Sequence, residues 1–484
     1  MTLKNKKLVL CITGSIACYK SIELYRSLKK EGASVTIILS SSASKFISPY
    51  IFKSFGEEVY ADDAFEIPLA HIELAKTADA IVVAPATYNT INKIACGIAD
   101  SLITLTVSAL GDKPCIIVPA MNNKMYSNEI LQENIKKLIQ KKYYFVNPTQ
   151  GELACGDFGE GKFPEIKDIV FEIESVFKNK KFKDKKILIT AGATREYIDP
   201  VRFISNASSG KMGMALADEA IKLGAEVTLI ACNIDIQNLY INKKIKLIKA
   251  ASFNDLRESL INEFPKNDIL IMAAAVSDFG VKEKSPLKIK KANGCSGNTT
   301  NIHLNLIQND DLLKLIAKDK KQEQIIFGFA AETDNIIENA QKKFKEKSLD
   351  YIFVNDVTKN IIGSSENEGY LIKIISVNKD KKKDKEKDKD KEKENINGRD
   401  ITYDDNNYIY TDKEINKNSA IIINKTKNTG ETIIKINTYK NHKNNNNEGY
   451  NNNRWIEDSD NNLEIKRFER MNKAELAEAL LNEL

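Results

Sequence analysis

The chain opens a strand–turn unit twice, and that duplication decides its architecture. KLVLCITGSIA (Lys7 to Ala17) and KKILITAGATR (from Lys185) are each an apolar strand-length run that stops at a turn of small residues. Strands are expected at 7–13, 34–39, 80–85 and 115–119, and again at 186–190, 226–231, 268–274, 325–329 and 351–354. Between them lie spans such as YKSIELYRSLKKEG, whose apolar residues recur at helical spacing. AIVVAP and CIIVPA are apolar almost throughout, as strands covered on both faces must be. The expected class is α/β: a flavodoxin-like or Rossmann-like parallel sheet, then a second Rossmann-like domain, with right-handed crossovers and ligands at the carboxyl ends of the strands.

The 484 residues, 42% of them hydrophobic, supply two cores and leave something unpacked. The boundary between the cores is expected around 174–184. After LIKIISVN the tract DKKKDKEKDKDKEKEN cannot bury enough apolar surface to offset its ordering entropy. An insertion, largely disordered, is therefore expected over 379–455, with TIIKINTY left open as a strand. The closing run ERMNKAELAEALLNEL has helical spacing and is expected to return to the second domain.

The formal charge of +5 is small for this length and its signs are interspersed, which gives nucleic acid no continuous basic stripe. Seven cysteines without CxxC spacing point to a reducing interior, not to a disulfide framework or a zinc site. The apolar run near Met1 is short for a leader, and no segment reaches membrane-spanning length, so the expected setting is cytoplasmic.

In the first half, Gly14 and Ser15 sit between strand and helix, where amides can hold a phosphate. The absence of GxGxxG favours a mononucleotide such as FMN over a dinucleotide. Ser40 in LSSSASKF adds a hydroxyl, and Thr87 and Asn89 follow a strand directly. His71, at the start of a helix next to the cleft, brings an imidazole able to take and give protons. Asn122 in PAMNNKMY offers an amide for a carboxylate, while Met121 and Met125 read as packing. Cys155 in GELACGDFGEG is a potential proton donor on a glycine-flanked cover.

These segments resemble the flavin-dependent cysteine decarboxylases. Together with RFISNASSGKMG, the chain over about 1–378 and its last residues resembles the bifunctional decarboxylase/ligase family of coenzyme A synthesis. The resemblance implies FMN near Gly14, Ser15, Ser40, Thr87 and Asn89, an active-site His71, a carboxylate grip at Asn122 and an acid at Cys155. Tyr126 stands where Trp is frequent in relatives. The domains implied are 1–178 for decarboxylation and 184–378 plus 456–484 for ligation.

The second half reads GATREYIDPVRFISNASSGKMG, which is not a Walker A loop because Met212 follows Lys211. Asn206 suits an acyl or phosphate oxygen, and Asp278, just past an apolar strand, suits a nucleotide or magnesium-bound phosphates. Lys288, Lys290 and Lys291 form a positive patch suited to a triphosphate. By resemblance, including FGFAAET and Asn355, this half binds CTP and forms an acyl-cytidylate attacked by cysteine. Asn206 would then stabilise the intermediate, Lys288 or Lys290 would favour its formation, and Asp278, Phe329 and Ala330 would contribute to the nucleotide pocket.

The partners so implied are 4'-phosphopantothenate, cysteine, CTP and Mg2+, with no nucleic acid or membrane. A homo-oligomer, in relatives commonly a dodecamer, is implied as well. The competing expectation is a flavoprotein oxidoreductase or flavin-binding subunit that has lost one or both activities.

Overall fold

A computed structural model describes residues 2–62, 67–235, 242–290, 303–359, 363–374 and 463–484, and the backbone of four short strands between 402 and 458. Lys291, Cys295, the charged tract at 380–395 and TIIKINTY lie outside the described residues. The chain forms two compact units, residues 1–373 with 468–484, and residues 374–467.

In the larger unit the first sheet contains β1 (Lys7–Ile12), β2 (Ser34–Leu39), β3 (Val59–Ala61), β4 (Ala80–Ala86), β5 (Cys115–Pro119) and β6 (Tyr144–Phe145), in the order β3-β2-β1-β4-β5-β6. Every pairing is parallel. The helices are α1 (Lys20–Lys30), α2 (Tyr50–Ser54), α3 (Ala70–Thr77), α4 (Tyr88–Cys96), α5 (Leu102–Ser108), α6 (Asn123–Tyr126), α7 (Glu129–Gln140) and α8 (Ile166–Val176).

Because side chains alternate along a strand, β1 feeds two cores. Leu8, Leu10 and Ile12 join Leu24 and Leu28 of α1 and Ile169 and Ile173 of α8. Val9 and Cys11 join Leu74 of α3, Ile91 of α4, Ile103 of α5 and Ile135 of α7. A fully buried Leu or Ile contributes about 1.5–3 kcal/mol, so both faces of the sheet are fixed by its own strands. A hairpin follows, β7 (Thr149–Glu152) with β8 (Phe158–Lys162).

The second half repeats the plan. It contains β9 (Lys186–Gly192), β10 (Arg195–Tyr197), β11 (Phe203–Ser205), β12 (Glu226–Cys232), β13 (Lys246–Ala250), β14 (Ile269–Met272), β15 (Phe279–Val281), β16 (Leu306–Gln308), β17 (Ile325–Glu332), β18 (Tyr351–Asp356) and β19 (Glu366–Ile374). The main sheet runs β13-β12-β9-β14-β17-β18-β19, parallel until β19 closes antiparallel on β18. β10 with β11 and β15 with β16 form separate antiparallel pairs.

Its helices are α9 (Lys211–Lys222), α10 (Phe253–Glu263), α11 (Leu312–Ala317), α12 (Ile336–Glu346) and α13 (Lys473–Glu483). α13 packs on α9, which is the return expected of the closing run. Its start is set by Asn472, whose Oδ1 accepts the Glu475 N–H at 2.9 Å.

The smaller unit contains β20 (Thr402–Asp404), β21 (Asn407–Tyr410) and β22 (Ile421–Asn424) in one antiparallel sheet. β23 (Trp455–Asp458) pairs there with Leu463–Lys466 of β24 (Leu463–Asn472). The Ile/Tyr islands of the polar tract supply β20 to β22.

Candidate active sites

β1 pairs with β2 on one side and β4 on the other, so the loops leaving β1 and β4 diverge and open a crevice at the carboxyl ends of the strands. A cavity of about 1190 Å³ occupies that position. Loops far apart in sequence meet there: Gly14 and Ser15 after β1, Ser40 after β2, Thr87 and Asn89 after β4, Asn122 after β5, and Cys155 from the hairpin turn.

Thr13, which carries no signal in the sequence, ties the crevice together. Its Oγ1 donates to Pro85 O at 2.7 Å and accepts the Thr87 N–H at 3.0 Å. Gly14 is required by proximity, since a Cβ there would lie 2.4 Å from the Ser42 Cβ. Ser40 Oγ accepts the Ala43 N–H at 3.1 Å, and Thr87 caps α4 through the Thr90 N–H at 3.3 Å. These hydroxyls therefore shape turns as well as face the cavity. Asp62 also lines the wall, where burial pushes its carboxyl up while the Ile103 N–H, donating at 2.7 Å, opposes the rise.

The cover is held by backbone. Met121 N–H donates to Gly161 O at 3.1 Å, and a Cβ on Gly161 would lie 2.2 Å from Met121 O, so the β7–β8 hairpin seats directly on the loop after β5. Asn122 Oδ1 accepts the Lys124 N–H at 2.9 Å and caps α6. Its Nδ2 then points to the hairpin and donates to Cys155 Sγ at 3.1 Å. Met121 and Met125, read as packing residues, both line the cavity. Tyr126 is half-buried against the adjacent core instead, and burial pushes its hydroxyl up.

His71 stands apart from this group. It lies in the first turn of α3, outside the lining of the cavity, with a buried Nδ1 that has no hydrogen-bond partner among the described residues. The cavity wall is drawn from the loops after the strands and from α4 and α5, whereas α3 packs against the β1 face that carries Val9 and Cys11.

In the second half the crevice between β9 and β14 is latched in the same manner. Thr194 Oγ1 accepts the Ser277 N–H at 3.0 Å, and Thr190 Oγ1 accepts the Ala274 N–H at 3.0 Å. Asn206 is exposed, and its Nδ2 donates to Val276 O at 3.0 Å, which sets it beside the loop that carries Asp278. Asp278 is exposed, and its carbonyl accepts the Asn309 N–H at 2.8 Å.

Lys288 and Lys290 are exposed and flank Ile289, which is clamped to the β10–β11 turn. Its N–H donates to Asp199 Oδ2 at 3.1 Å and its carbonyl accepts from Arg202 Nη2 at 2.9 Å. Asn206 follows the other end of that hairpin, since Arg195 pairs with Ser205. Phe329 and Ala330 lie just beyond the Met272–Gly328 register pair, near the start of the β14 loop. Gly213 serves packing, because a Cβ there would lie 2.4 Å from the Ala191 Cβ. Among the described residues, no group of three or more His, Cys, Asp or Glu side chains could hold a metal ion.

Two doubly wound domains, the first with a thiol-bearing hairpin over a switch-point cavity, define the class as a two-domain α/β protein with ligand sites at the carboxyl ends of its strands. Residues 1–178 match the family model described as Flavoprotein. Residues 182–398 match the C-terminal domain of the DNA/pantothenate metabolism flavoproteins. The chain is 39% identical over 379 residues to the coenzyme A biosynthesis bifunctional protein CoaBC of Borreliella burgdorferi, covering 77% of this chain and 94% of that one. It is 41% identical over 368 residues to the Bacillus subtilis protein of the same name, covering 75% and 88%. The corresponding protein of Thermococcus kodakarensis is 38% identical over 384 residues, covering 76% and 89%. The chain belongs to the bifunctional phosphopantothenoylcysteine decarboxylase/phosphopantothenate–cysteine ligase family of coenzyme A biosynthesis.

Proposed function

We propose that the cavity at the β1–β4 crevice and the latched crevice at β9–β14 divide the two reactions between them. The chain is a bifunctional enzyme that joins 4'-phosphopantothenate to cysteine with CTP and then decarboxylates 4'-phosphopantothenoylcysteine with FMN. We assign decarboxylation to residues 1–178 and ligation to 184–378 with 456–484.

The observation that carries the first assignment is the 3.1 Å contact of Asn122 Nδ2 with Cys155 Sγ at the mouth of the cavity. The residues fit a flavin mononucleotide: the volume is ample, and Gly14 lets the loops after β1 and β2 pack together at the cavity wall, where a Cβ would meet Ser42. Gly14, Ser15, Ser40, Thr87 and Asn89 would hold it. When bound, FMN supplies the reversible two-electron oxidation that turns the cysteine side chain into an electron sink for the departing carboxylate. Asn122 grips that carboxylate by hydrogen bonds to its oxygens. Cys155 gives its thiol proton to the carbon that has lost carbon dioxide. His71 manages protons and places substrate, a role that requires its buried Nδ1 to gain a partner.

In the ligase half Asn206 stabilises the acyl-cytidylate, and Lys288 or Lys290 favours its formation by neutralising the triphosphate. Asp278, Phe329 and Ala330 border the nucleotide. A single carboxylate at Asp278 suits a magnesium ion that arrives on the nucleotide's phosphates, because such ions keep most of their ligands from water and phosphate. A cytoplasmic homo-oligomer, extending to a dodecamer, completes the reading. Among the described residues, no helix is long and apolar enough to cross a membrane.

Reconstitution from 4'-phosphopantothenate, cysteine, CTP and Mg2+, with cytidylate, pyrophosphate and carbon dioxide followed separately, tests the whole. Bound FMN with neither half-reaction would return the reading to a flavin-binding protein.

A further inference from the structure

Asn122 has two amide hydrogens, and both are committed to one turn. Nδ2 donates to Cys155 Sγ at 3.1 Å and to Asp157 Oδ2 at 3.3 Å, while the Cys155 thiol donates to the same Asp157 oxygen at 3.5 Å. Asn122 cannot rotate to spare a donor without losing the Lys124 N–H from its Oδ1. A substrate carboxylate that takes this amide must therefore displace an acceptor. The displaced one is Asp157, because two carboxylates crowded at one donor repel.

Cys155 and Asp157 move together. Leu153 N–H donates to Asp157 O at 2.8 Å, Gly156 N–H donates to Leu153 O at 2.9 Å, and Gly156 has φ of 84°, so the turn is a closed unit.

We propose that Asp157 is a positioning residue that stands in for the substrate carboxylate on Asn122, so that substrate lifts the Cys155 turn and loss of carbon dioxide lets it drop back. This rests on the assignment of Asn122 as the carboxylate grip. Departure of carbon dioxide leaves the Asn122 amide without its acceptor, and Asp157 re-engages it. That return carries the Cys155 thiol over the new carbanionic carbon. There the S–H bond breaks and a C–H bond forms, and the sulfur keeps the electron pair as thiolate until solvent reprotonates it. The two electrons that saturate the product are those withdrawn from the substrate in the first half of the established reaction.

The test uses the FMN-loaded full chain and two ligands without a thiol, which cannot turn over: 4'-phosphopantothenoylserine, which keeps the carboxylate, and 4'-phosphopantothenoylethanolamine, which lacks it. By calorimetry, Asp157→Asn should bind the serine ligand about tenfold more tightly than the native chain, while the ethanolamine ligand changes by less than about twofold. Asp157→Ala should shift the same way. With the true substrate, KM and kcat should both fall, because binding meets no competitor and the thiol is no longer drawn back over the carbon.

Unchanged or weaker binding of the serine ligand in Asp157→Asn overturns the proposal. Asn122→Ala separates the levels. If it abolishes the preference for the serine ligand while Asp157→Asn leaves that ligand's affinity unmoved, only the stand-in role fails. If it leaves the preference intact, the carboxylate grip itself fails, and the proposal with it.

Discussion

The two halves of the larger unit start from one plan and finish differently. Each places its first strand at a switch point, β1 between β2 and β4 and β9 between β12 and β14, and each latches the crevice with a threonine, Thr13 or Thr194. The first half then adds a hairpin that closes over the crevice and brings a thiol to it. The second adds β10–β11 from the side, which holds Asn206 at one end and the Ile289 clamp at the other. A covered cavity suits chemistry on a retained cofactor. On the reading proposed above, the exposed Asn206, Lys288 and Lys290 of the second half suit a nucleotide that must enter and a pyrophosphate that must leave.

The sharpest way to break that division is to silence one half and assay the other. Asn206→Ala should lower cytidylate formation about 100-fold or more, as loss of a group that stabilises developing charge does, with decarboxylation of added 4'-phosphopantothenoylcysteine unchanged. Cys155→Ser should do the reverse, with accumulation of an oxidised, decarboxylated product detectable by mass. Equal damage to both reactions from either variant would mean that the sites are not separable.

How much of this was legible in the sequence follows from what makes a strand or a site visible. β1, β2, β4, β5, β9, β12, β14, β17 and β18 announce themselves as apolar runs because both of their faces are covered. Short edge or hairpin strands such as Val59–Ala61, Lys246–Ala250 and Arg195–Tyr197 have too little apolar material to show. The cavity residues Gly14, Ser40, Thr87, Asn122 and Cys155 are visible because each follows a strand or sits in a glycine-flanked loop. Thr13 and Thr194 are not, since a buried threonine that bonds a neighbouring loop has no local signature. Asp157 lies inside GELACGDFGEG, but its partner Asn122 is 35 positions away and only folding pairs them. His71 stands out for its chemistry, and chemistry alone does not say which face its helix turns inward.

The next effect lies where the halves meet, and it separates their first helices. α1 buries a neutral Ser21, whose Oγ donates to Ala84 O at 2.8 Å. α9, packed on α8, carries Glu219 and Lys222 in ion pairs with Lys178 and Glu174 at 3.0 and 2.6 Å, beside Asp218. One Asp218 oxygen is buried without a hydrogen-bond partner among the described residues, and burial pushes the carboxyl up from 3.8 to about 6, with Lys222 opposing and Glu219 and Glu174 adding. A carboxyl raised in the folded state binds its proton more tightly there than when unfolded. Stability is thus fullest below 3.8 and falls as pH rises to about 6. The loss is on the order of 2–3 kcal/mol above that window. Asp218→Asn should recover it at neutral pH and gain nothing in acid, read as the urea midpoint at both pH values. A gain that is the same at both would put the cause in packing.

Glycine substitutions come next, with an expected cost of about 1–3 kcal/mol for forcing a methyl into a packed contact. Gly213→Ala should lower the thermal midpoint by driving α9 off β9, because its Cβ would also meet Thr190 O at 2.9 Å. Gly14→Ala pushes on the Ser42 loop at the edge of the cavity, so part of the same cost should appear as faster loss of FMN on dilution. Matching losses of midpoint with no change in FMN retention would show that the Gly14 contact is purely structural.

The smallest differential effect, one half against the other, belongs to the shared latch. Thr13→Val and Thr194→Val keep volume and remove one hydroxyl, which costs about 1–3 kcal/mol where the partners stay buried and less where water can replace it. Ser277 is buried, so its N–H, left by Thr194, has no substitute at hand. Thr87 is half-buried at the cavity wall, so its N–H, left by Thr13, can turn to solvent. Thr194→Val should therefore destabilise more than Thr13→Val. Hydrogen exchange of the Ser277 and Thr87 amides reports the latches separately, and faster exchange at Thr87 with little change in global stability is the expected signature. If the two variants cost the same and both amides exchange at the global rate, the latch is equivalent in both halves, and the difference between the sites lies wholly in the hairpins added around it.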